Sequence, residues 1–312
     1  MITKTHTAGM TRENWLELRR GSIGGSDAAA IVGLNEYASP YTVWADKMGL
    51  LPEKDDSEAM RQGRDLEQYV AERFEEATGK RVKRSNYTWY NTDYPFAHAN
   101  VDRVVIGEDA GLECKTTSIL NPHRFADGEY PANYYVQCQH YMAVTGKHRW
   151  YLAVLVLNKG FYWYCIERDQ QEIDALMAAE AALWDCVKNK TQPPIDGTKA
   201  TTDALSVIYA DAVPKSGIEL YGREYTIQNL MRTKEQIKEL EKQAAEFENE
   251  LKADMGEHEA GYAGEYRVMW KVQERTNFDS KRFIEDNPGM DLSPYYKTTA
   301  FRSFKISKRK GA

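Results

Sequence analysis

The chain has little cysteine: Cys114, Cys138, Cys165 and Cys186 are all that occur in 312 residues, each more than twenty positions from the next and without a Cys-x-x-Cys. That spacing gives no support to a structural zinc site. Long hydrophobic runs are missing as well. No stretch approaches the length needed to span a bilayer, and the opening Met-Ile-Thr-Lys-Thr-His-Thr lacks the apolar region of a signal peptide. The expectation is a cytoplasmic protein with no membrane partner. Positive charge is not in excess either, the formal net charge being −6. An acidic balance argues against nonspecific coating of nucleic acid, but not against local basic surfaces that channel a polyanion. What the chain does have is apolar bulk, 42% hydrophobic and 12% aromatic, ample for one large or two modest domains.

Three carboxylates and a lysine carry the chemistry: Glu67, Asp102, and the pair in Glu113-Cys114-Lys115. Ala97 to Ile106 and Gly111 to Thr117 read as two strands joined by the turn-like Gly107-Glu108-Asp109-Ala110, which makes a hairpin. Side chains alternate across a strand, so Glu113 and Lys115 are expected on one face and Leu112, Cys114 and Thr116 on the other. The polar pair then looks into a site and the apolar set into the core. A hard cation such as Mg²⁺ takes oxygen ligands and keeps several waters, so two or three carboxylates with a backbone carbonyl suffice to hold it. Lys115 would orient an attacking water or offset the charge that builds on a phosphorane. Glutamate and lysine also alternate on many solvated strands, so the pair gains its weight from its surroundings.

Those surroundings are helical. Glu58 to Thr78 reads as a helix with Met60, Leu66, Val70, Phe74 and Ala77 at three- to four-residue intervals, and Gly63 and Glu67 on one side. Glycine inside a helix costs about 1 kcal/mol, which predicts close approach of another backbone or a ligand at Gly63. Tyr134 to Val144 also reads as a helix, with Gln137 and Tyr141 on one face. Gly24-Gly25-Ser26-Asp27 precedes an apolar helix from Ala28 to Val32, so Ser26 or Asp27 is its expected N-cap. A helix N-terminus suits a phosphate, although a capped helix beside surface arginines accounts for the same residues. Lys80-Arg81-Val82-Lys83-Arg84 is one basic cluster, and Arg302, Lys305, Lys308, Arg309 and Lys310 are another. Either is equally a solvated face, the first being the better candidate for phosphate contact because it follows Glu67 closely.

In chain order the segments are Gly63-x-x-x-Glu67, Asp102, Glu113-x-Lys115 and Gln137-x-x-x-Tyr141. This order resembles the PD-(D/E)XK nuclease superfamily. More narrowly, the chain resembles the YqaJ viral recombinase family, which is lambda-exonuclease-like. A second signature is Leu18-Arg19-Arg20-Gly21-Ser22-Ile23-Gly24-Gly25-Ser26-Asp27-Ala28, and the motifs together cover about the first 190 residues. The resemblance implies an α/β fold with a central mixed β-sheet flanked by helices, the restriction-endonuclease-like core. It implies a Mg²⁺-dependent 5′-to-3′ exonuclease that works on double-stranded DNA ends, with Mn²⁺ as the alternative metal. Asp102, Glu113 and the backbone carbonyl of Cys114 would hold the principal metal, Glu67 a second one, and Lys115 the nucleophilic water. Gln137 and Tyr141 would position phosphate and DNA end. Arg19 and Ser26 would bind the 5′-terminal phosphate, with Arg20, Lys80, Arg81, Lys83 and Arg84 as further DNA contacts. The same resemblance implies a ring-shaped homo-oligomer, a phage single-strand annealing protein as partner, and a bacterial host cytoplasm as setting. Some nucleases of the superfamily hold an iron-sulfur cluster with tightly spaced C-terminal cysteines; without that spacing no cluster is expected. Two rival readings stay open, a structure-specific or restriction-like endonuclease using the same carboxylates and a noncatalytic DNA-binding module.

Residues 1–192 are thus expected as the nuclease core, with further strands at Trp150 to Leu157 and Phe161 to Ile166 and a helix from Gln170 to Val187. Aromatics in the second of these strands are more often core than base-stacking surfaces. Residues 193–222, opening on Pro193-Pro194, read as a linker or irregular excursion, and 223–312 as a C-terminal long helix and small module. In that helix Leu230, Ile237, Ala244 and Leu251 recur every seven residues, with Leu240 and Phe247 between them. The resulting heptad seam must be buried on the core, a partner subunit or another helix. Tyr266 to Ile306 is expected to give a strand, a short helix from Phe278-Asp279 and a strand ending at Arg302-Ser303-Phe304.

Overall fold

The chain divides into two units, Met1–Ala210 and Asp211–Ala312. The computed structural model describes residues 1–53, 56–118, 125, 128–211, 213, 216–299 and 301–307. The first unit runs β1 (Ile2–His6), α1 (Arg12–Arg20), β2 (Ile23–Gly24), α2 (Gly25–Ile31), α3 (Pro40–Lys47) and α4 (Glu58–Thr78). It continues with β3 (Val82–Arg84), β4 (Tyr87–Asn91), β5 (Ala97–Asn100), β6 (Arg103–Val105), β7 (Ala110–Thr117) and α5 (Ala132–Thr145). It closes with β8 (Arg149–Val156), β9 (Gly160–Glu167), α6 (Gln170–Lys188) and α7 (Lys199–Ile208).

The expected mixed sheet is a five-stranded one in the order β3-β6-β7-β8-β9, in which only β7 and β8 pair in parallel. Parallel neighbours need a crossover, and α5 supplies it. Alternation on β8 divides the core. Trp150, Leu152, Val154 and Val156 pack with residues of α5, while Tyr151 and Ala153 pack with Val70, Ala71 and Phe74 of α4. The sheet is therefore covered by one helix on each face. Helix α4 begins where Ser57 caps the Met60 N–H at 3.2 Å and ends at Gly79, whose φ of 69° is the left-handed stop that glycine accepts.

The sequence pattern misses a break. Ala97 to Ile106 reads as one strand, but the chain leaves β5 at Asn100 and resumes as β6 at Arg103. Strand β5 belongs to a second sheet, β1-β4-β5-β2, and β6 to the first. The residues between them, Val101 and Asp102, make the passage from one sheet to the other. Residues 193–222 hold a helix as well as irregular chain: α7 is capped by Thr198, buries Ala204 against the α3 and α6 cluster, and has Thr201 Oγ1 2.7 Å from Ser39 Oγ.

The second unit contains α8 (Glu224–Met255), a hairpin of β10 (Ala260–Ala263) with β11 (Tyr266–Met269), and α9 (Ser280–Asp286) capped by Asp279. Strand β11 pairs back onto β10, and Arg302-Ser303-Phe304 is irregular, so the expected closing strand is replaced by an upstream hairpin partner. Along α8 the heptad residues Ile237, Leu240, Phe247 and Leu251 are exposed.

A polar seam lies inside the first unit. His98 Nδ1 of β5 is 2.8 Å from Ser22 Oγ, and its carbonyl oxygen is 2.9 Å from His140 Nε2 of α5. His140 Nδ1 in turn meets Glu180 Oε1 of α6 at 2.8 Å, both side chains being fully buried. Burial, then the nearby Lys47 and His140, press the His98 imidazole from its ordinary 6.5 down to about 3. An imidazole held neutral in the fold but free to charge in the unfolded chain lets the unfolded state bind more protons between those two values. Stability therefore falls as pH drops through that window. Unfolding free energies from urea titrations between pH 6.5 and 5 should fall with a slope of up to about 1.4 kcal/mol per pH unit for this one proton. His98→Asn, whose amide can still meet Ser22, should flatten that slope; an unaltered slope would assign the acid sensitivity elsewhere.

Candidate active site

Strand alternation places Glu113 and Lys115 on the α5 face of β7. Lys115 Nζ lies 2.6 Å from Glu113 Oε1, and the Gln137 amide of α5 donates to the same oxygen at 2.8 Å. Gln137 also donates to the Tyr141 hydroxyl at 2.7 Å, one helical turn on. The pairs expected from spacing, Glu113 with Lys115 and Gln137 with Tyr141, are thus joined into one cluster. On the opposite face Leu112 and Cys114 pack with the α4 cluster, as alternation requires.

Asp102 enters from the break between β5 and β6, where its Oδ2 accepts the Cys114 N–H at 2.8 Å. This backbone bond fixes a carboxylate from one strand against the next. Burial, then the Glu113 and Glu67 charges, hold the Asp102 carboxyl well above the usual carboxylate range. Lys115 moves in the opposite sense. Burial alone would lower it, but Glu113 beside it raises it above the ordinary lysine value, so the ammonium is retained. The Cys114 thiol is pushed up by burial and by Asp102, which keeps it protonated and leaves the backbone as this residue's contribution.

Glu67, expected to hold a second metal, is engaged in an ion pair. It projects from α4, on the far face of the sheet, and its carboxylate is engaged by the Arg103 guanidinium, which also donates to Gln68 Oε1 at 3.1 Å. Among the described residues no group of three or more His, Cys, Asp or Glu side chains is placed to hold a metal ion. Asp102 and Glu113 remain, and one atom of this pair fits a cation. Glu113 is 3% exposed, and its Oε2 is buried without a hydrogen-bond partner among the described residues. An orphaned anionic oxygen beside a second carboxylate is a demand for positive charge, and a magnesium-like ion with several retained waters needs few protein oxygens.

Arg19 and Ser26 meet as well, Arg19 Nη2 donating to Ser26 Oγ at 3.1 Å while the guanidinium stacks 4.7 Å from the Trp15 ring centroid. The cap of α2 is Gly24, not Ser26 or Asp27. Asp27 stands at the third helical position and accepts the Gly24 N–H at 3.0 Å, so the two glycines take the turn and Ser26 is exposed. Of the first basic cluster, Lys80 is paired with Glu108, while Arg81, Lys83 and Arg84 are exposed. Arg84 lies opposite Arg103 in the β3–β6 register, at the edge of the sheet near Asp102. Arg20 is partly buried in the last turn of α1. In the second cluster Arg302 and Lys305 are in irregular chain, and Lys308, Arg309 and Lys310 lie outside the described residues. A Cβ built on Gly63 meets nothing within 4 Å, so the predicted close approach of protein backbone does not occur.

Two residues of the cluster escaped the sequence reading. Tyr134 places its ring 5.4 Å from Lys115 Nζ, and its position three residues before Gln137 and seven before Tyr141 was the available signal. Arg103 was masked by its place beside Asp102, since alternation sends it to the α4 face, where it meets Glu67.

The YqaJ-like viral recombinase domain matches residues 14–148, the stretch that carries all of these groups. Over 304 residues the chain is 40% identical to the protein YqaJ of Bacillus subtilis strain 168, covering 96% of this chain and 95% of that one. The chain belongs to the YqaJ-like viral recombinase family. Among solved structures it is similar to an alkaline exonuclease from Laribacter hongkongensis, at 19% identity and a TM-score of 0.47, over 57% of this chain and 93% of that one. It is also similar to a phage-related exonuclease from Haemophilus somnus 129PT, at 13% identity and a TM-score of 0.41, over 56% and 99% of the respective chains.

A tight contact joins α2 to the cluster. A Cβ on Gly25 would lie 2.6 Å from Tyr141 Cε1, and Tyr141 is buried with its hydroxyl held by Gln137. Gly25→Ala should therefore destabilise the first unit by about 1–3 kcal/mol through overpacking. Tyr141→Val in the same chain should recover part of that loss in a urea titration; strictly additive losses would show that the two residues do not press on each other.

Proposed function

We propose that the chain is a Mg²⁺-dependent exonuclease, with Mn²⁺ as the alternative metal, that digests double-stranded DNA ends in the 5′-to-3′ direction. Its products are 5′-mononucleotides and 3′ single-stranded overhangs for phage-type recombination. The supporting observation is the Glu113 carboxylate, gripped on one oxygen by Lys115 and Gln137 and orphaned on the other, beside Asp102. Asp102, Glu113 and the Cys114 carbonyl would hold the metal, which when bound neutralises developing charge and acidifies a water.

The remaining work belongs to the chain's own groups. Lys115 keeps its proton and is placed to orient the attacking water or to offset negative charge on the phosphate oxygens. Gln137 spends its amide on Glu113 and on the Tyr141 oxygen, which fixes the carboxylate and leaves the Tyr141 proton available to a phosphate oxygen. Burial, then Glu113, keeps that phenol protonated. Arg19 and Ser26 receive the 5′-terminal phosphate and so set polarity, and Arg81, Lys83 and Arg84 follow the duplex backbone. Arg103 already holds Glu67, so a second cation there requires that ion pair to open. A ring-shaped homo-oligomer, a phage single-strand annealing partner and the cytoplasm of a bacterial host complete the reading.

Linear duplex DNA labelled at either end, with and without a 5′-phosphate, tests it. The 5′ label should leave as mononucleotides in the presence of Mg²⁺, and Lys115→Ala should slow this by roughly 10²–10³-fold. Calorimetric Mg²⁺ binding should vanish in Glu113→Ala. Nicking or cutting of a closed circle would make the protein an endonuclease, and binding without cleavage would make it a noncatalytic module.

A further inference from the structure

Lys47 takes no part in the chemistry above, yet its side chain is only 2% exposed. Its ammonium lies 2.8 Å from Asp27 Oδ2 and donates at 2.9 Å to the main-chain carbonyl of Arg19. The Arg19 carbonyl is one of the last four of α1, which have no acceptor role within their own helix. Asp27 Oδ2 also accepts the Gly24 N–H. One ammonium and one carboxylate oxygen thus tie together the end of α1, the start of α2 and the end of α3. Lys47 grips Arg19 itself, and Asp27 is the neighbour of Ser26.

A buried ion pair rarely stabilises a fold more than an apolar pair of the same size would. Its use here is geometric. The Arg19 guanidinium and the Ser26 hydroxyl sit on different helices and touch only at their tips, at 3.1 Å. Their relative placement depends on what joins the two backbones, and a misplacement of about 1 Å in such a pair is enough to weaken recognition strongly. The anchor is itself braced, since the Ser39 cap of α3 is bonded to Thr201 of α7. Burial would raise the Asp27 carboxyl, but Lys47, the Gly24 N–H and Arg19 hold it below the usual range, so the pair stays charged.

We propose that the Lys47–Asp27 pair is the positioning device that sets Arg19 and Ser26 for a terminal 5′-phosphate, and that it thereby governs the preference for phosphorylated ends. This rests on the phosphate role given to Arg19 and Ser26. The test compares kcat and KM on linear duplexes with 5′-phosphate and 5′-hydroxyl ends, in Mg²⁺, with the full chain. The Asp27→Asn/Lys47→Met variant removes both charges together, so no lone ion is left buried. Lys47→Gln, which can still donate to the Arg19 carbonyl, is the second variant should the first fail to fold in a thermal melt.

Either folded variant should lower the phosphate-to-hydroxyl ratio of kcat/KM by roughly tenfold, through KM for phosphorylated ends. A loss of kcat on both ends with the ratio intact would mean a merely structural pair and would overturn the proposal. Wild-type protein without any phosphate preference, or an Arg19→Ala variant that keeps the preference, would instead refute the phosphate role itself.

Discussion

The carboxylate of Glu113 sits at the centre of a sheet where water does not reach it, and such a group persists only if charge is brought to it. Strand period supplies the first counter-charge: Lys115, two residues on, necessarily shares its face. The crossover helix supplies the second contact, because a parallel β7–β8 pair forces α5 across that same face and Gln137 comes with it. The second oxygen is left with nothing. An unmet buried acceptor costs about 1–3 kcal/mol, and more when it is charged. Asp102 adds to the demand, and its raised proton affinity expresses the same shortage of positive charge. Among the described residues other buried polar atoms also go unpaired, Glu180 Oε2 among them, but at Glu113 the shortage falls where a second carboxylate, Asp102, and the Lys115 ammonium meet.

How much of this could be read beforehand differs from element to element. Helix α4 was legible to the residue, because its cap, apolar spacing and terminal glycine all agree. The shared face of Glu113 and Lys115 followed from period alone. The break at Val101–Asp102 was hidden, since alternation from Ala97 to Ile106 continues across it and only pairing to two different sheets separates β5 from β6. That hidden break is what turns Asp102 toward the Cys114 N–H, so the least legible backbone feature carries one of the two central carboxylates. The partner of Glu67 was hidden for a related reason. Sequence spacing puts Glu67 on the correct face of α4, but says nothing of Arg103 arriving opposite it from β6. The polar seam of His98, His140 and Glu180 lay beyond reach as well, because each of its bonds joins residues distant in sequence.

Composition misled in two places. The turn-rich stretch after Pro193-Pro194 hid α7, although Thr198 followed by Ala204, Leu205 and Ile208 is an ordinary cap and apolar face. Near the C-terminus, Arg302-Ser303-Phe304 has strand-like character, yet β11 finds its partner upstream in β10, a few residues away across a tight turn. Short hairpins close with little loop entropy, which favours the nearer partner.

The two glycines of Gly24-Gly25 connect the halves of the site. A Cβ on Gly24 would meet His98 Nε2 at 2.9 Å, and one on Gly25 would meet the Tyr141 ring, so α2 is pressed at once onto β5 and onto α5. Ser26 follows directly, joined to Arg19, while Tyr141 leads through Gln137 to Glu113. On the proposed reading, Arg19 and Ser26 mark the end of the DNA and Glu113 the bond to be cut. An enzyme that removes one nucleotide at a time needs a fixed distance between those two marks. Packing that admits no side chain between α2 and α5 is a way to fix it, because close-packed layers shift together rather than slide past one another.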